Sequence, residues 1–164
     1  VPADTLGMSR PYLDHEELVE DHLRITRDRL RFASNAETER EVRARVIATT
    51  GLGIELPITW LRDRLGLSET EERVVWTLVA HELCSDARKL VRELNTEQVS
   101  DATFDTLRRV VYGTNATLRT WRELGPEGPL RRLGLIERTD GAGDAPEQRQ
   151  TFKVARRVLA LVYG

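Results

Sequence analysis

A chain of 164 residues is the length of one ordinary domain, or of a compact domain with a helical arm, and buries about 68–70% of its unfolded surface without disulfide or metal staples. Hydrophobic residues make up 40% and charged residues 32%, the balance of a soluble helical protein with well-solvated faces. No apolar run approaches the roughly 18 residues of a membrane span, and a net charge of −2 gives no chain-wide electrostatic grip on nucleic acid or an anionic membrane.

The only cysteine, Cys84, excludes an internal disulfide framework and a cysteine-only zinc site, as expected of an intracellular protein. His15, His22 and His81 lie far apart, with no i,i+4 pair to hold a metal. All but two of the 25 basic residues, Lys89 and Lys153, are arginines, a bias that suggests a GC-rich bacterial genome. The N-terminus lacks the basic-then-apolar pattern of a signal peptide, so a cytoplasmic location is expected. Met8 is the only methionine, so the residues before it read as an addition, or the chain as a piece of a longer one.

From residue 14 to about 32, Val19, Leu23 and Leu30, with Leu18, Ile25 and Phe32 on an adjacent stripe, predict an amphipathic helix. A second helix from about residue 37 carries Val42, Val46 and Ile47 and stops near Thr49-Thr50-Gly51. Ser34 and Asn35 supply the turn between them, so residues 1–56 read as an N-terminal arm or hairpin of two helices. Pro57 opens a short helical turn through Trp60, Leu61 and Leu65, closed by Gly66. Ser68 and Glu71 then form an S-x-x-E capping box ahead of Val74, Val75, Leu78, Val79 and Leu83, a helix that ends near Cys84.

Asp86 is expected to cap the next helix, with Leu90, Val91 and Leu94 inward, and Ser100 or Asp101 another, bearing Phe104, Leu107, Val110 and Val111 and stopped by Gly113. Asn115 is the expected cap of one more, with Leu118, Trp121 and Leu124 inward, before Gly125-Pro126 and Gly128-Pro129 break the chain. Residues 133–138 read as a turn and a short strand, 140–148 as a polar loop, and 149–154 as the returning strand. A final helix places Val158, Leu159 and Val162 on one face. This is a mainly α chain with a small β-hairpin (α+β), in the order of a winged-helix domain over residues 57–164.

Few residues here carry chemistry. His81 and Cys84 are an i,i+3 pair, but Cys84 closes an apolar stripe and no acid or carboxamide is placed to orient His81, so a buried small hydrophobe is expected. Ser85 stands where H-E-x-x-H needs its second histidine. Glu16-Glu17 and Glu71-Glu72 suit the helix dipole at helix starts, and Trp60, Trp76 and Trp121 are expected in core contacts rather than as a base-stacking platform. No phosphate loop is present, because neither lysine follows a glycine and Gly51 and Gly53 form only a G-x-G fragment. Catalytic, metal-binding and cofactor-binding residues are therefore expected to be none.

The C-terminal segment is basic: Arg131, Arg132, Arg138, Arg149, Lys153, Arg156 and Arg157 stand against Glu137, Asp140, Asp144 and Glu147. Arg131, Arg132, Arg149, Lys153, Arg156 and Arg157 are candidate contacts to DNA phosphates or to a protein partner. Against DNA, the helix from Asp101, taken as the recognition helix, begins with Asp101 and Asp105, where base edges would be met, and carries only Arg108 and Arg109 near its end.

Three stretches add a resemblance. LGLSETEERVVWTLVAHEL (residues 65–83) resembles the opening helix of the winged-helix domain that precedes the ATPase module in a group of bacterial AAA+ proteins, some associated with contractile injection systems. GPLRRLGLI (128–136) resembles that family's segment leading into the wing, and FKVARRVLALVYG (152–164) its closing helix. The resemblance implies a non-catalytic N-terminal domain that contacts a protein client or the neighbouring ATPase module, ATP and Mg²⁺ belonging to that module. The candidate contact surfaces are the charged outer face of residues 14–32 and the wing at 140–148, and a monomer or weak dimer is expected. The alternative is a DNA-binding transcriptional regulator of winged-helix type.

Overall fold

The computed structural model describes residues 9–113, 116–141 and 149–164. Helix α1 (His15–Leu30) is capped by Asp14, whose carboxylate accepts from the Glu17 amide at 2.8 Å, and buries Leu18, Val19, Leu23, Ile25 and Leu30. Phe32, placed by its spacing on the same face, is instead 62% exposed, because the helix ends at Leu30 and Phe32 turns into the left-handed region at φ 55°. The amides of Phe32 and Ala33 there donate to the Arg29 and Asp28 carbonyls, closing the helix with a residue type that pays steric strain for the conformation.

Helix α2 (Ala36–Gly51) corrects its predicted stripe. Val42 is buried and Val46 half-buried, but Ile47 is 66% exposed; the inward positions are Val42, Arg45 and Thr49. The Arg45 guanidinium donates to the Arg10 carbonyl at 3.0 Å, Asp21 at 3.2 Å and Glu17 at 2.5 Å, and lies 3.9 Å over the Tyr12 ring. Thr49 accepts from the Tyr12 amide at 2.8 Å and the Tyr12 hydroxyl donates to Asp21 at 2.9 Å. Burial and the Asp21 bond push the Tyr12 hydroxyl pKa well up. A polar knot thus ties the segment before α1 to both helices.

The two helices dock on the rest of the chain. Beyond a 3-10 turn (Pro57–Thr59) and α3 (Trp60–Leu65), α4 (Glu69–Leu83) carries the expected capping box, Ser68 accepting from the Glu71 amide at 3.1 Å and Glu71 from the Ser68 amide at 3.0 Å. Every residue from Val74 to His81 is buried, and α4 packs against α1, α5 (Ser85–Leu94) and the sheet. Each aliphatic side chain removed from water on α4 contributes about 1.5–3 kcal/mol. The predicted cap at Asp86 is not formed: Cys84 takes the cap position, and Asp86 sits inside the first turn, accepting from the Ala87 amide and facing Arg27 and Arg31 at 3.6 and 3.8 Å.

The sheet has three antiparallel strands in the order β1-β3-β2, one more than the hairpin read from the sequence. β1 (Ala102–Thr103) pairs with the first half of the central strand β3 (Thr151–Val154), and β2 (Ile136–Arg138) with its other edge, Glu137 opposite Lys153. Thr103, not Ser100 or Asp101, then caps α6 (Phe104–Leu107), which runs on through a wide turn at Arg108–Tyr112. Phe104, Leu107, Val110 and Val111 are buried as the spacing predicts. α7 (Thr117–Leu124) and α8 (Pro129–Arg132) lead into β2, and α9 (Arg156–Tyr163) returns to α1, where the His15 ring Nε2–H donates to the Val162 carbonyl at 2.9 Å. The expected cap at Asn115 and the tip of the polar loop, 142–148, lie outside the described residues.

Two measurements test this packing. Arg45→Ala leaves Asp21 and Glu17 facing a vacated guanidinium site and is expected to cost about 3 kcal/mol in urea unfolding, without rescue by Arg45→Lys, which cannot reproduce the forked donation. The His22 ring stacks on Trp76 at 4.3 Å, and burial lowers its pKa from 6.5 to about 3. The unfolded state therefore binds the extra proton between these values, and stability falls as pH drops through that window. This one group accounts for about 1–2 kcal/mol between pH ~6.5 and ~5, a loss that His22→Phe, which keeps the stack, is expected to remove.

Candidate functional site

Chain order sets α7, the helix before the α8 turn and the β2–β3 hairpin, in the position that meets a partner in helix-turn-helix relatives. This corrects the assignment of that role to the helix beginning at Asp101, since β1 occupies 102–103 and α6 with its wide turn forms the preceding helix.

The register of α7 also differs from the predicted one. Thr120, Glu123 and Leu124 face inward, while Leu118 is 80% and Trp121 47% exposed. The physical reason is Glu123. Its carboxylate accepts from the Tyr112 hydroxyl at 2.8 Å and from Ser68 and Thr70, at the start of α4, at 3.0 and 2.6 Å, while Arg119 pairs with it at 3.2 Å. Burial, with the Glu123 carboxylate beside it, drives the Tyr112 hydroxyl pKa far up. A buried carboxylate held by three hydroxyls and a guanidinium fixes the rotation of the helix. Gly128 seals its C-terminal end: a Cβ there would lie 2.6 Å from the carbonyl oxygens of Arg122 and Glu123. The outward face accordingly presents Leu118 and Trp121 with Arg122 beside them, all exposed.

The predicted basic residues do not act as one group. Arg149 pairs with Glu97 at 2.7 Å, at the α5–β1 corner beside Asp105. Arg131 is half-buried, and burial and then Arg138 push its pKa down. Arg138 donates to both carboxylate oxygens of Asp140, at 3.0 and 2.6 Å, which holds Asp140 below the usual carboxylate range. Arg132, Lys153, Arg156 and Arg157 are exposed and make no ion pair among the described residues. Of these, Arg157 lies against the α8–β2 turn, where a Cβ on Gly134 would come within 2.7 Å of its guanidinium; that turn also needs glycine for its φ of 64°.

The remaining candidates are structural in their contacts. The Cys84 thiol is half-buried, burial raises its pKa, and the His81 ring Nε2–H donates to the Ser100 carbonyl at 2.8 Å. Glu71 closes the α4 cap, Glu72 faces Arg62 at 3.6 Å, and Glu17 belongs to the Arg45 knot. Trp76 is buried, whereas Trp121 departs from the expected core role. Among the described residues no three His, Cys, Asp or Glu side chains cluster to hold a metal, and no helix is long and apolar enough to cross a membrane.

Capped helices, a positioned α7 and a small antiparallel sheet closing on a hairpin define a winged-helix domain. The chain belongs to the family described as winged helix domain, variant, whose model matches residues 26–164. Comparison with curated proteins and with solved structures gave no match.

If Glu123 sets the rotation of α7, Glu123→Ala is expected to lower stability by about 2 kcal/mol, because the hydroxyls of Ser68, Thr70 and Tyr112 lose their acceptor. Trp121→Ala, on the exposed face, should stay within about 0.5 kcal/mol of the parent. Urea unfolding of the two variants checks both.

Proposed function

We propose that the chain is a non-catalytic winged-helix module that recruits a protein partner through the outward face of α7, as the N-terminal part of a bacterial AAA+ ATPase. The observation that carries the recruiting role is the pair Leu118 and Trp121, one turn apart and exposed at the position where a DNA-reading helix needs polar side chains for base edges. Exposed Trp with flanking Arg is the composition of protein-interface hot spots. The ATPase parentage is supported by the resemblance of residues 65–83, 128–136 and 152–164 to the segments that precede such a module.

The DNA-binding reading draws on a different observation, the exposed cations Arg132, Lys153, Arg156 and Arg157. Two experiments separate the readings. A photo-crosslinking amino acid at Leu118 in the producing cell is expected to give a protein adduct that disappears with Trp121→Ala; a nucleic-acid adduct would overturn the recruiting role. In anisotropy titrations of a labelled duplex at physiological salt, no binding tighter than about 10 μM is expected. Tighter binding that is lost in Arg156→Ala/Arg157→Ala selects the DNA-binding reading instead. ATP turnover by the purified chain above a blank would remove the non-catalytic assignment.

A further inference from the structure

Between α1, α2, the Pro57–Thr59 turn with α3, and α4 lies a cavity of about 470 Å³ that takes no part in the α7 face. Its volume is that of a small-ligand site, and its lining sets an apolar floor beneath a rim of eight charged side chains. Ile25, Val42, Val46, Ile58 and Trp76 form the floor. His22 stacks on Trp76 with its ring planes 9° apart, and its ring nitrogens make no hydrogen bond to another described residue.

The rim is charged unevenly. Glu39 is shared by Arg29 and Arg73, and Glu69 by Arg73 and Arg43, at 2.8 and 3.2 Å. Three guanidiniums thus divide two carboxylates, which leaves one positive charge uncompensated in this network. Arg43 uses a single Nη2 contact to Glu69 and is half-exposed, so most of its five N–H donors remain open. The adjoining corner holds Arg62, Asp63 and Glu72, where the acids outnumber the base, so the lining as a whole is balanced and the positive excess is local to the Arg29, Arg43 and Arg73 side. There Glu72 faces Arg62 at 3.6 Å, and burial, more than any neighbouring charge, raises its pKa.

We propose that this cavity binds a monocarboxylate with an apolar body, the carboxylate taken by Arg43 and Arg73 and the hydrocarbon laid on Ile25, Val46 and Trp76. Single negative charge matches the one guanidinium in excess on the Arg29, Arg43 and Arg73 side; a phosphate dianion there would add repulsion from Glu39 and Glu69, and an amine there would face the arginines. The body can be a free acid or the C-terminal residue of a protein chain, since both offer one carboxylate beside an apolar group.

Isothermal titration of the 164-residue chain with hydrocinnamate, its amide, phenethylamine, and acetyl-Gly-Gly-Phe with a free or amidated C-terminus tests the proposal. Hydrocinnamate or the free-acid peptide is expected to bind with a Kd of about 0.1–1 mM, at least about tenfold tighter than the matching amide. Binding of the peptide identifies a chain terminus as the source; binding of hydrocinnamate alone identifies a free acid. Arg43→Ala should weaken binding by about fivefold or more, and Thr50→Trp, which fills the cavity mouth, should abolish it, both with an unchanged far-UV spectrum. The proposal falls if neither acid binds at about 5 mM, if the amide or the amine binds as well as the acid, or if folded Arg43→Ala binds like the parent.

Discussion

Helix α4 is buried around its whole girth, and that constraint organises the rest of the molecule. From Val74 to His81 every residue is buried, so α4 needs covers around it, and α1, α5 and β3 each supply one. The N-terminal helices are therefore walls of the core: Leu18 is fully buried, as are Leu78 and Val79, in one continuous apolar cluster. The capping box at Ser68 and Glu71 starts α4 in register, and the buried sheet residues Ala102, Phe152 and Val154 close its remaining face.

Polar groups then decide how the covers are oriented. Apolar burial is nondirectional, and a helix can present more than one stripe to a greasy neighbour. A buried charge is not so tolerant, because an unpaired partner costs several kcal/mol. Arg45 therefore fixes α2 against α1 and the strand of chain before it, and Glu123 fixes α7 against the start of α4. In each case the bonds span long separations in sequence, Tyr12 to Thr49 and Ser68 to Glu123.

The fixed rotation of α7 turns Leu118 and Trp121 outward. The same assembly of α1 and α2 on α4 leaves the cavity floored by Trp76 and rimmed by arginines. One is an exposed apolar pair, on which the proposed recruitment rests, and the other a cavity, on which the proposed carboxylate site rests. Each arises from the packing demanded by α4, and each is formed by different residues.

Local periodicity and capping chemistry were enough to establish most helices, the capping box, the core positions of α1, α4 and α6, and the closing hairpin, because these depend on neighbours within a few residues. The basic candidates were legible as residues, but not their separation: Arg149 joins Glu97, Arg131 is drawn inward, and Arg157 packs on the Gly134 turn. Tertiary structure alone decided the two-residue strand β1, which carries no periodic signal, the inward roles of Arg45, Thr49 and Glu123, and the outward turn of Trp121. A polar residue goes inside only where partners wait for it, and here those partners come from distant parts of the chain.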